Sequence, residues 1–143
     1  MSETRRMTDQ QRPHAFLHPR NWKAAKGYAN GVAAEGRMIF VAGQIGWNAE
    51  QKFESRDFVA QTRQALQNIV AVVREAGGKP EHITRLTWYV IDKNEYLSQL
   101  SDVGVAYRSV MGTHFPAMTM VQVAGLIEDA AKVEIEASAV VPK

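Results

Sequence analysis

The chain has 143 residues, 45% apolar and 22% charged, with 17 Lys/Arg against 15 Asp/Glu and no cysteine. That length holds one core of ordinary size, and the composition is that of a globular chain, not a disordered one. Lack of cysteine excludes disulfides, thiol nucleophiles and thiolate metal sites and fits a reducing, cytoplasmic setting. No apolar run exceeds five residues, where a membrane-crossing helix needs about 20.

Charge is uneven along the chain. Residues 1–26 carry six basic groups against Glu3 and Asp9, whereas residues 27–143 are mildly acidic. Two prolines and no sustained period make residues 1–26 read as a flexible basic arm, leaving 27–143 as the single domain. A strand is expected over 28–34. Glu35-Gly36 then supplies a turn into the β-rich run 37–43, so the two strands form a hairpin. Residues 58–76 repeat apolar groups at helical spacing after Ser55, a candidate N-cap, and Gly77-Gly78 ends the helix. Residues 83–91 read as a strand. A second helix with Tyr96, Leu97, Leu100, Val103, Tyr107 and Val110 on one face closes at Gly112. Strands over 118–124 and 132–140 follow, joined by a turn at Glu128-Asp129.

The order ββαβαββ describes an α/β (α+β) sandwich, one sheet with two helices on one face. Neither face of residues 86–90 or 118–124 reads as a solvated row, and two helices cover only one side. The other side is therefore expected to pack on another subunit. Subunit junctions commonly hold ligand clefts.

The chemistry available is limited. His14 and His18 have metal-pair spacing, but Pro13 and Pro19 bracket them and no third ligand is near, so no metal is expected. Nucleophile-elbow, Walker and dinucleotide motifs are absent. Gly43-Gln-Ile-Gly46 has the bare spacing of an RNA-binding GxxG loop but lacks basic flanks. Alternation in Val133-Glu-Ile-Glu-Ala137 puts Glu134 and Glu136 on one face of a late strand, either as an exposed row or as the acid/base of an intersubunit cleft.

Taken together, Gly27 to Val32, Ile39 to Gly46, Gln61 to Asn68, Phe115-Pro-Ala117 and Val133 to Ala137 resemble, in order, the Rid family. These are YjgF-like reactive-intermediate deaminases, historically labelled L-PSP endoribonucleases. The resemblance implies a chorismate-mutase-like fold with one mixed sheet and a homotrimer with small-molecule clefts between subunits. It implies hydrolysis of imines or enamines to 2-keto acids and ammonia, with no cofactor. Tyr28, Gly43 and Glu134 match the family's pocket, with Glu134 positioning the attacking water. Backbone groups at Ala42, Gly43 and Gln44 and the side chain of Tyr107 would complete it. Three positions depart. The family's substrate-binding arginine is Met118, its serine is Ala42, and its asparagine, three residues before Tyr107, is Gly104.

A carboxylate substrate without its arginine loses a charge-assisted pair, so standard 2-imino acids are not expected to serve. The first reading is hydrolysis of an imine, enamine or related electrophile, with Glu134 orienting water, Thr119 and the backbone near Gly43 holding the polar end, and Met118 touching an apolar portion. A non-catalytic ligand-binding or client-interaction trimer is the second reading. An endoribonuclease is the third, weakened by the mildly acidic body. Arg85 and Arg108 are candidates to replace the missing anchor.

Overall fold

A computed structural model describes residues 12–143 of the chain. Phe58–Glu75 forms the first helix, α1, because its apolar groups recur every three or four residues and bury Phe58, Ala65, Leu66, Ile69 and Val73 along one stripe. Its N-cap is Asp57, not Ser55. The Asp57 carboxylate accepts from the Ala60 N–H at 2.9 Å, while the Ser55 hydroxyl accepts from the Asp57 N–H. At the far end Gly77 adopts φ +77°, and the Gly77 and Gly78 N–H groups return to the Arg74 and Val73 carbonyls.

That stripe lies on a mixed four-stranded sheet of order β3-β6-β4-β5. The strands are β3 Arg37–Ile45, β4 Ile83–Val90, β5 Ala117–Gln122 and β6 Val133–Val141. β3 and β4 pair antiparallel with β6, and β5 runs parallel to β4. α3 (Leu100–Met111) packs beside α1, and a short α2 (Lys93–Leu97), capped by Asp92, precedes it. Residues on the helix side of the strands, Leu86, Val90, Val133 and Ile135, are at most 1% exposed. Each such side chain contributes roughly 1.5–3 kcal/mol by burial.

The expected hairpin is a correction. β2 (Gly31–Ala33) does not pair with β3 but with β1 (Ala15–Leu17), in a separate two-stranded sheet. At Gly36, φ is +146° and a Cβ would stand 2.3 Å from the Val141 carbonyl oxygen. The chain turns there directly against β6, so β3 takes β6 as its partner and β2 is left to β1.

The flexible-arm expectation also needs revision from Arg12 onward; residues 1–11 lie outside the described residues. His14 is buried and its Nε2 donates to the His82 carbonyl at 3.2 Å. His18 donates through Nε2 to the Trp22 carbonyl and accepts through Nδ1 from Asn30. The two histidines therefore serve different segments. The Ala29 N–H bonds to the Pro116 carbonyl, and Ala29 bridges Ala117, clipping the strap 12–30 beside β5.

The other sheet face carries no helix. Met38, Phe40 and Val121 on it are 62%, 76% and 42% exposed, an apolar surface bare in the isolated chain.

Candidate active site

The residues singled out from the sequence divide into two groups on opposite sides of the sheet. Alternation along β5 is the cause: Met118 pairs with buried Leu86 and faces the helices, whereas Thr119 pairs with Thr87 on the bare face. Tyr28, Gly104, Tyr107 and Met118 line one cavity of about 1100 Å³ between the strap, α3 and β5. Ala42, Gly43, Glu134 and Thr119 lie away from it.

On the bare face, Glu134 stands between Ile45 of β3 and Tyr89 of β4. Val41 opposes Ala137 and Gln44 opposes Ile135, so Ala42 and Gly43 together oppose Glu136 alone. This is a β-bulge, which releases backbone groups from the ladder. Gly43 permits it: a Cβ there would stand 2.8 Å from Glu134 Oε1. The Gln44 amide turns back to the Ala42 carbonyl at 3.0 Å. Among the described residues nothing donates to the Glu134 carboxylate, whereas its neighbour Glu136 accepts from the Tyr89 hydroxyl at 2.7 Å. That bond raises the Tyr89 pKa. One of the two carboxylates is thus engaged and the other is open.

Two side chains that were not among the candidate site residues position this region. Gln61, 1% exposed, bonds the Ser55 and Ala130 carbonyls and the Lys132 N–H, tying the entry of α1 to the entry of β6. Asn68 donates to the carbonyls of Ile45 and Trp47 and fixes the exit of β3. Both are polar positions within an amphipathic helix. That pattern is a usable signal, since a polar group on a buried stripe needs a partner.

The cavity half differs in character. Tyr107 stacks on Phe115 at 5.0 Å and on Trp88 at 6.3 Å, and its hydroxyl donates to the His114 carbonyl at 2.6 Å. It therefore offers the cavity a ring and no free hydroxyl, and burial lifts its pKa well above the usual range. Met118 and Met120 pack on the same core. Trp88 carries a buried indole N–H without an acceptor. His114 donates through Nε2 to the Ile83 carbonyl at 2.7 Å, and desolvation lowers its pKa. Of the two arginines proposed as substitutes, Arg85 sits on the bare face opposite Ser138, and Arg108 lines the cavity. Among the described residues no three His, Cys, Asp or Glu side chains are grouped to hold a metal, and no helix is long and apolar enough to cross a membrane.

A mixed sheet backed by two main helices on one side, with a carboxylate beside a bulge on the other, defines an α+β protein of the YjgF type. A family model described as Endoribonuclease L-PSP matches residues 19–141, and the chain belongs to that family, the one that includes the Rid and YjgF proteins. A 2-iminobutanoate/2-iminopropanoate deaminase of Escherichia coli is 40% identical over 124 residues, covering 84% of this chain and 92% of its own. A RutC family protein of Pasteurella multocida is 34% identical, covering 87% and 95%. Among solved structures, the Rid family protein YyfB of Yersinia pestis, of unknown function, matches with TM-score 0.80 at 28% identity over 90% of this chain and 99% of that one. The YjgF gene product of Escherichia coli matches with TM-score 0.63 at 37% identity over 87% and 97%.

Proposed function

We propose that the protein is a Rid-like homotrimer that hydrolyses an imine, enamine or related small electrophile in clefts between subunits, and that standard 2-imino acids are poor substrates. The observation that carries the reading is the division of the site. Within one chain the apolar cavity and the Glu134 carboxylate face opposite sides of the sheet. A second copy docked through the exposed Met38–Phe40 surface would bring its Glu134 and bulge to the cavity of the first. The deaminase named among the relatives supports the reaction class.

In the mechanism, the substrate's C=N carbon lies above the bulge, where the Ala42-Gly43 backbone holds its polar end. Glu134 takes a proton from water as the oxygen adds to that carbon. That proton passes to nitrogen to give a carbinolamine; the carbinolamine hydroxyl then gives up its proton, carried by Glu134 to the same nitrogen, as the C–N bond breaks and ammonia leaves with a carbonyl product. General acid/base assistance of this kind is worth roughly 10²–10⁴-fold. Met118 supplies dispersion contact in place of a guanidinium, so a carboxylate at that spot finds no fork of donors.

The test measures ammonia release from 2-iminobutanoate generated in situ and from an uncharged imine. Wild type is expected to be slow on the first and faster on the second, Met118→Arg to gain on the first, and Glu134→Gln to lose both by at least 100-fold. Retained turnover in Glu134→Gln would overturn the reading. A non-catalytic ligand-binding trimer would then be favoured, since three polar positions of the family's pocket are here Ala42, Gly104 and Met118.

A further inference from the structure

Among the described residues, the charged side chains lining the cavity are Arg12, Lys26 and Arg108, with His18 beside them, and no Asp or Glu lines it. The walls are apolar and aromatic, from Trp88, Tyr107, Phe115, Met118 and Met120. Such a vessel suits a ligand with an apolar body and one anionic group, because a cation at an apolar wall lacks a local counter-charge. The cations are not equivalent. Arg12 stacks over the Phe16 ring at 4.0 Å. Arg108 has no hydrogen-bond or ion-pair partner among the described residues.

Arg108 is exposed, and its guanidinium lies along α3 beside Gly104. It sits four residues after Gly104 on α3, so the two share one helix face. A Cβ at residue 104 would stand 3.1 Å from Arg108 Nη1 and 3.7 Å from Cζ and Nη2. The guanidinium thus lies over the bare glycine backbone, in space that any side chain at 104 would contest. A glycine inside a helix lowers helix stability, and here its lack of a side chain seats the arginine at the cavity wall.

We infer that Arg108, seated on Gly104, is the anion anchor of this cavity, and that its ligand is a carboxylate with an aromatic or large apolar body. The inference rests on the reading of the cavity as the substrate site. It accounts for Met118 without removing the charge: the cation enters from α3 and not from β5, and residue 118 is released to contact the apolar body. The bidentate fork of arginine is the side chain suited to that anion.

Binding is measured on the full chain in the Glu134→Gln background, by tryptophan fluorescence and calorimetry, so the result does not depend on turnover. The probes are 3-phenyl-2-oxopropanoate, pyruvate and the uncharged 1-phenylpropan-2-one. The phenyl acid is expected to bind at least tenfold more tightly than pyruvate. Arg108→Gln is expected to weaken the phenyl acid at least tenfold and leave the ketone unchanged, and Gly104→Ala to weaken the acid severalfold by displacing the guanidinium. Unchanged acid binding in Arg108→Gln, or equal loss of acid and ketone, overturns the assignment. Retained turnover in Glu134→Gln alongside a charge-selective loss in Arg108→Gln would reject the proposed chemistry and keep the anchor.

Discussion

The two faces of the sheet contrast in how they are completed. On the helix side, Leu66, Ile69, Leu86, Val133 and Ile135 are closed against one another by the chain itself, and none is measurably exposed. On the other side, Phe40 is 76% exposed, and Glu134 stands without a donor among the described residues. The first face contains what makes the chain fold. In the proposed function, the second is the side left open for a partner and for chemistry. On that proposal, stability and reactivity reside on different sides of the same four strands, and substitutions can separate them.

The sharpest break in that contrast is expected at Leu66. Leu66→Ala opens a cavity in the closed face and should cost about 2–5 kcal/mol, read as a lower denaturation midpoint at unchanged m-value, whereas Glu134→Gln should leave the midpoint where it was. Equal losses would mean that the bare face also carries the fold. A smaller effect concerns the histidines holding the strap and the α3–β5 loop. Burial lowers the pKa of His114, and of His82, below the ordinary 6.5. Just below pH 6.5 the unfolded chain then binds more protons than the folded one, so stability is complete above that pH and declines as pH falls. Thermal melts at pH 7.5 and 5 should show the drop, and His114→Gln, whose amide can reach the same carbonyl, should flatten it. The smallest effect is expected on the open face. Tyr89→Phe removes the bond to Glu136, solvent screens that contact, and little or no shift of the denaturation midpoint is anticipated. A larger loss by chemical denaturation would show that Tyr89 braces the sheet.

Much of the closed face was legible because periodicity reports burial. The stripe of α1 and the pair Glu134/Glu136 followed from spacing, and the strand over 83–91 from its β-branched and aromatic residues. The partner of β2 did not, since strand pairing is settled by a distant contact, here the approach of Val141 to Gly36. His14 fell within the expected flexible arm because its acceptor, the His82 carbonyl, lies 68 positions away. The candidate site was only half readable. The pair Glu134/Glu136 could be found from its own strand, whereas the choice of Glu134, and Tyr28, Gly104 and Met118, came from family resemblance, and the cavity shared by the last three depends on where the strap crosses. The Gly104–Arg108 spacing is visible in the sequence, but its meaning requires knowing which helix face borders the cavity.

The strap's position has a consequence for how this protein can diversify. One wall of the cavity is built from residues 12–30, held to the body by the His14–His82 and Ala29–Pro116 bonds and touching the edge of the four-stranded sheet through the Ala29–Ala117 bridge. Changes confined to that short leading stretch can widen, narrow or recharge the cavity while the strand register and the Glu134 bulge stay as they are. Under the proposed function, ligand preference can thus drift through residues 12–30 without renegotiating the rest.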